Sequence, residues 1–299
     1  MNTWENLFKG YLIYLKIERG LSENSIKSYS YDIRSLLKYI NKYNNKLRLK
    51  DCDKQFIQEF IYKFSKNINS RSQARLLSSL KSFFNYLIFE GLNKSSPMEL
   101  IESPKIVSKL PEVLSSKEVE TLINNSELNK NNGIRNSAIL ETLYGSGLRV
   151  SELINLKISN IHFDDKLLLI QGKGNKQRLV PLGSICEAKI INYVNNIRIL
   201  KKIKEKSRDI VFLNINGHKL TRATIFNIVK EAQKNSNINK IVSPHTFRHS
   251  FATHLLENGA DLRSIQIMMG HENITTTEIY THLDTKYLSK TLNKFHPRK

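Results

Sequence analysis

The chain has 299 residues, enough for two domains of ordinary size with a core in each, and 40% of them are hydrophobic, which excludes a disordered chain. Lys and Arg number 47 against 27 Asp and Glu, a formal charge of +20. So large an excess opposes compaction and favours a polyanionic partner, although a Lys- and Asn-rich background composition would supply part of it.

Four helices are predicted in the first hundred residues. Trp4 to Arg19 carries Leu7, Phe8, Tyr11, Leu12, Tyr14 and Leu15 as a broad apolar face and stops at Gly20. Ser22 caps a second helix to about Asn41, with Ile26, Tyr29, Ile33, Leu36, Leu37 and Ile40 on one side. A third spans Lys54 to Ser65, and a fourth runs from Ser70 to Glu90, ending at Gly91. The fourth opens on a polar, basic turn with Arg71 and Arg75, which suits either phosphate contact or a solvated helix end.

Residues 92–111 lose periodicity and contain Pro97, Pro104 and Pro111 among serines, the mark of an interdomain linker. The predicted domains are therefore 1–107 and 112–299. Ser115 and Glu118 form a capping box at the start of the second. That domain reads as mostly helical with one β element, Leu167–Gln171 and Lys176–Pro181 around a glycine-bearing turn. No internal repeat, dinucleotide fingerprint or Walker A loop is present.

Ser243 as N-cap and Pro244 at the first helical position open a helix that runs to Asn258 and stops at Gly259. His245, Arg248, His249 and Ala252 share one face, and Phe247, Phe251 and Leu255 another. A short helix from Asp261 to Met269 closes at Gly270, followed by His271. A further short helix is predicted from Asn273 to Tyr280, and an amphipathic tail helix from Asp284 to Phe295. His245, His249 and His254 could suggest a metal, the first two at i, i+4 spacing, but Arg248 lies among them and no H-E-x-x-H accompanies them, so no metal or other cofactor is expected.

Two arginines, two histidines and a tyrosine without a carboxylate cluster suit a phosphodiester. Guanidinium groups grip nonbridging oxygens, imidazoles handle protons and a phenol attacks; no metal is required. Cys52 and Cys186 stand alone and read as reduced thiols. No signal peptide or membrane span is evident, so a cytoplasmic protein without membrane insertion is expected.

These pieces combine into a specific pattern. Arg149 in Gly-Leu-Arg-Val-Ser-Glu-Leu, His245-Thr-Phe-Arg248-His, Leu-Glu-Asn-Gly-Ala-Asp-Leu-Arg, Met-Gly-His271 and Thr-Thr-Thr-Glu-Ile-Tyr280 together resemble the tyrosine recombinase (phage integrase) family. Gly172-Lys173-Gly-Asn-Lys-Gln-Arg resembles that family's β-hairpin lysine motif. The similarity extends over the whole chain to His296-Pro-Arg and is nearest to the cellular Xer subgroup.

The resemblance implies a C-shaped, two-domain clamp on duplex DNA. Its halves would be an all-helical, SAM-like core-DNA-binding domain and a catalytic domain with a tail helix. It implies Tyr280 as nucleophile, Arg149 and Arg248 on the scissile phosphate, Lys173 as general acid, and His245 and His271 in proton transfer and phosphate binding. Lys176 is a rival to Lys173, and Glu152 either orients a site group or is structural. Arg71, Arg75 and Arg222 are the DNA-contact candidates. Implied partners are a double-stranded recombination site, a tetramer with itself or a second Xer recombinase, and an FtsK-type translocase that serves chromosome dimer resolution. In the family the tail docks on a neighbouring protomer; packing on its own domain is the alternative. The rival readings are a mobile-element integrase, a nicking–closing topoisomerase and an architectural DNA-binding protein with a decayed site. All six expected catalytic residues are in place, which counts against decay.

Overall fold

The computed structural model describes residues 4–43, 52–66, 68–99, 101–102, 112–128, 132–172, 176–270 and 282–298. The chain is mainly helical, with one small antiparallel sheet, and divides into two compact units, Met1–Lys109 and Leu110–Lys299. Residues 100 and 103–111 of the predicted linker lie outside the described residues.

In the first unit α1 (Trp4–Ile17), α2 (Glu23–Tyr43), α3 (Lys54–Ser65) and α4 (Ser70–Phe89) enclose one apolar core. Caps set the starts: Ser22 accepts from the Ser25 N–H, Asp53 from Phe56 and Asn69 from Ser72. Tyr11, Ile33, Leu36, Phe60, Phe83, Phe84 and Leu87 are sealed from solvent. One charge lies among them: Asp32 is fully buried and accepts from Arg75 Nε at 3.0 Å, Arg75 Nη2 at 2.8 Å and Ser79 Oγ at 3.0 Å.

The second unit is built on α6 (Gly133–Gly145), a helix buried on nearly every side. It packs against α5 (Ser116–Glu127), α8 (Ser184–Tyr193) and α10 (Pro244–Glu257). The Ser115–Glu118 capping box forms as expected. A helix so enclosed must satisfy its own charges, and it does: Arg135 donates to the Leu213 carbonyl and Asn136, and Glu141 accepts from Arg298. The sheet has order β1–β2–β3, from β1 (Ile161–His162), β2 (Leu167–Gln171) and β3 (Gln177–Pro181). Leu167 pairs with Pro181 and Gln171 with Gln177. The sequence reading did not include β1, two residues long and paired with Leu167 and Leu168. Among the described residues the remaining α-helices are α7 (Val150–Ile154), α9 (Arg222–Asn235), α11 (Leu262–Met269) and α12 (His282–Phe295). Both cysteines are buried. Among the described residues no helix is long and apolar enough to cross a membrane.

The C-terminal tail packs on its own unit. Leu288 and Leu292 of α12 enter the core, and Asn258 Nδ2 donates to the Phe295 carbonyl at 2.7 Å. His296 follows, 2% exposed, with its ring 4.7 Å from that of Tyr144 and 5.4 Å from that of Phe251. Arg298 then reaches Glu141, with Nη2 2.8 Å from Oε2. Burial pushes the His296 imidazole down to about 4, so the folded protein holds it neutral where the unfolded chain begins to protonate. The folded pKa lies below the unfolded one, so this stabilisation is complete above about pH 6.5 and is lost as pH falls toward 4. The expected loss between pH 7 and pH 5 is on the order of 2 kcal/mol. His254, also buried, shifts the same way. Denaturant unfolding at the two pH values should show this loss, and His296→Gln should flatten it; an unchanged slope in H296Q would refute the assignment.

Candidate active site

The loop between α6 and α7 carries the first arginine. Gly147 adopts φ +56°, and a Cβ there would lie 2.5 Å from the Phe251 ring, so glycine is required on both counts. Arg149 is the N-cap residue of α7, and Glu152, three residues on, accepts its backbone N–H at 2.8 Å and its Nη1 at 2.9 Å. The capping geometry fixes the backbone of Arg149 while its side chain stays 37% exposed.

Helix α10 carries the next pair. Ser243 accepts from the Thr246 N–H and Pro244 occupies the first turn, as the sequence predicts. Phe247 and Phe251 anchor the helix in the core, leaving His245 exposed at its N-terminal end. Arg248, one turn on, is buried. Its Nη1 donates to the Gly147 carbonyl at 2.6 Å and lies 3.8 Å from Glu152 Oε2; its Nη2 donates to the Met269 carbonyl. Burial, followed by the neighbouring charge of Arg149, pulls the Arg248 guanidinium down to about 9, against the attraction of Glu152. It still carries its charge at neutral pH. The three histidines diverge: His254 turns inward, with Nδ1 2.7 Å from the Tyr144 hydroxyl, while His245 faces outward.

A third guanidinium completes the group. Arg178 of β3 is buried on the inward face of the strand. Its Nη1 and Nη2 each lie 2.8 Å from one oxygen of Glu152, a bidentate pair, and its Nε donates to the Met268 carbonyl at 2.9 Å. Arg149 Nη2 donates to the Gly270 carbonyl at 2.8 Å. Three successive carbonyls at the end of α11 (Met268, Met269 and Gly270) thus each accept from a different arginine. Gly270 itself, at φ +64°, donates its N–H to Gln266 and Ile267. Those carbonyls have no helical donors, and the helix dipole is negative there, so cations suit the position. Burial would raise the Glu152 carboxyl, but hydrogen bonds and charge from Arg178, then Arg149, hold it below the ordinary carboxylate range.

Arg149 and Arg248 therefore meet at Met269 and Gly270, the residue pair that precedes His271 in the chain, and His245 is exposed at the start of α10. Lys173, His271 and Tyr280, together with the helix predicted from Asn273, lie outside the described residues. The base of the Lys173 hairpin is described: the Gly172 N–H donates to the Lys176 carbonyl at 2.7 Å, and Lys176 itself is exposed. Arg178 did not figure among the candidates from sequence. The available signal was an arginine in phase with Val180 on the inward face of an alternating strand, where a charge requires a partner.

The chain is similar to proteins of one known family. The profile of the Phage integrase family matches residues 112–286, and that of the Phage integrase N-terminal SAM-like domain matches residues 8–91. The tyrosine recombinase XerD of Staphylococcus haemolyticus (strain JCSC1435) is 40% identical over 295 residues, covering 98% of this chain and 99% of that protein. The chain belongs to the phage integrase family of tyrosine recombinases. It is a site-specific recombinase, a DNA strand-transfer enzyme, and its likeness is to XerD. Among solved structures it is similar to the XerA recombinase, at 28% identity and TM-score 0.50, over 98% of this chain and 100% of that one. The XerH site-specific recombinase, solved bound to a palindromic difH substrate, shares its fold at 24% identity and TM-score 0.70, over 95% of this chain and 83% of the other.

The three arginines suggested as DNA contacts of this recombinase differ in their surroundings. Arg71, in the first turn of α4, is exposed, as is Arg222 at the start of α9. Arg75 commits Nε and Nη2 to the buried carboxylate of Asp32, leaving only Nη1 uncommitted by that pair. Arg75→Ala strands a buried charge and should cost about 3 kcal/mol or more in unfolding free energy. Arg71→Ala should change stability by less than about 0.5 kcal/mol and weaken DNA binding instead. Denaturant unfolding and fluorescence anisotropy on the two full-length variants separate these outcomes.

Proposed function

We propose that this recombinase breaks and rejoins DNA by direct transesterification through Tyr280. The phenolic oxygen attacks the scissile phosphorus, the bond to the 5′-oxygen breaks, and a 3′-phosphotyrosyl link forms as the leaving oxygen takes a proton from Lys173. Rejoining is the reverse reaction with the 5′-hydroxyl of another strand, and two rounds pass through a Holliday junction. The bond energy stays in the phosphotyrosine, so neither ATP nor another cofactor is called for.

The observation that carries this reading is the convergence of Arg149 and Arg248 on the last turn of α11. Two guanidinium groups from distant parts of the chain meet at Met269 and Gly270, next to which His271 follows in sequence. Charge that grows on the nonbridging oxygens in the transition state is stabilised by fixed donors of this kind. A phenol has a pKa of about 10, so the same cations favour the attacking phenolate at neutral pH. His245, exposed on the first turn of α10, serves proton transfer, and His271 hydrogen-bonds the phosphate.

The domain assignment follows from the same reading: residues 1–107 grip the core DNA and residues 112–299 perform the chemistry, the two closing as a clamp on the duplex. Likeness to XerD over nearly the full chain supports a cytoplasmic role in resolving chromosome dimers at segregation. The working assembly is a tetramer on DNA, with itself or a second Xer recombinase, under an FtsK-type translocase.

Duplexes selected by binding from a randomised pool, then nicked at successive positions, provide the test. Wild-type protein should form a covalent adduct that survives denaturation, and Tyr280→Phe should bind equally well and form none. Persistence of the adduct in Y280F would overturn the nucleophile. Binding should also weaken with salt by about 0.9 log units per log unit of salt for each phosphate neutralised.

A further inference from the structure

Of the three arginines around Glu152, Arg178 is the most heavily engaged. Its side chain is 6% exposed, against 8% for Arg248 and 37% for Arg149, and its Nε, Nη1 and Nη2 are each bonded to a protein acceptor, whereas Arg248 gives Nη1 and Nη2 to backbone carbonyls and meets Glu152 only at 3.8 Å. A phosphate is gripped best by a free fork, and the fork of Arg178 is already given to Glu152. Its place is nevertheless central, because it contacts both Glu152 and the end of α11.

The charge count explains why. One carboxylate faces three guanidinium groups, and its charge can be matched by only one of them. Arg178 holds it in the planar fork, at 2.8 Å on each oxygen, whereas Arg149 makes a single side-chain contact at 2.9 Å and Arg248 stands off at 3.8 Å. A bidentate pair is the strongest of the three arrangements. Without Arg178, the buried carboxylate would draw on Arg149 and Arg248 and cancel the field that the phosphate requires. The Met268 carbonyl would lose its donor at the same time. Arg178 also begins only a few residues after Lys173, so the same side chain ties the lysine hairpin to the arginine pair.

We infer that Arg178 is a positioning residue for strand transfer: it serves as the counter-ion of Glu152, leaving Arg149 and Arg248 free to charge-stabilise the scissile phosphate, and it fixes the turn of α11 that leads into His271. The inference rests on the reading of Arg149 and Arg248 as phosphate ligands. A residue with packing value alone would be insensitive to the charge at position 152. A counter-ion would not be.

The test measures single-turnover adduct formation on nicked DNA, with DNA affinity and melting temperature recorded for each variant. Arg178→Met should form adduct about 10- to 100-fold more slowly, the scale of loss when reacting groups are slightly misplaced, with DNA affinity unchanged. In the double variant E152Q/R178M the carboxylate charge is gone, so the rate should recover about fivefold or more over R178M, a coupling between touching residues. R178M at the wild-type rate, or a double variant no faster than R178M, overturns the proposal. Where Met proves too disruptive for folding, R178Q against E152Q/R178Q is read in the same way. R149A and R248A are run alongside. If they cleave at the wild-type rate, the phosphate-ligand reading fails and takes this proposal with it. If they are inactive while R178M is normal, only the role of Arg178 fails.

Discussion

The site depends on one buried carboxylate. Arg149, Arg178 and Arg248 come from a helix cap, a strand and a helix far apart in the chain, and like charges at such distances repel strongly where water is excluded. Glu152 offsets part of that repulsion, and the carbonyls of Met268, Met269 and Gly270 offset more by accepting from each guanidinium in turn. Glu152 is held in place by the backbone it caps, since it accepts the Arg149 N–H at the start of α7. The geometry is therefore set by short-range rules, a capping contact and the unsatisfied end of a helix, before any substrate is present. The positive charge that remains is surplus, and surplus charge on rigid supports is what a phosphoryl transition state needs.

The elements that could be read from sequence are those whose cause is local. Ser115 with Glu118, Ser243 with Pro244, and the stops at Gly259 and Gly270 all act within a turn or two, and each appears where the chain predicts it. The apolar periodicity of residues 4–41 is equally local, and its inward positions, Tyr11, Ile33 and Leu36, are the buried ones. Arg149, His245 and Arg248 were found through a family pattern rather than through physics, because nothing short-range announces that residues 99 positions apart will meet.

What the chain hid has a common origin. Arg75 looks like a free cation in a basic helix start, yet its partner Asp32 lies 43 residues earlier and is invisible to a local reading. Arg178 blends into Lys-Gln-Arg until the strand's inward face is known. His254 shares a helix with two other histidines and so could suggest a metal site by sequence, but the core places Tyr144 against it. β1 is too short for any alternation to register, and it exists because β2 offers it an edge. In each case a tertiary contact decides what an ambiguous polar residue does.

The tail follows the same logic of buried charge. Glu141 is sealed inside α6 and is held by Arg298, so the last residues of the chain are an obligate part of the domain core. Leu288, Leu292 and His296 add to that docking. Removing the tail outright would leave an unpaired interior carboxylate and an open apolar seat, both costly. Its replacement by the identical tail of another copy would not, since every contact would be remade with the same partners. Own-domain docking and docking on another copy would therefore be close in energy, because the seat and its partners are the same in both.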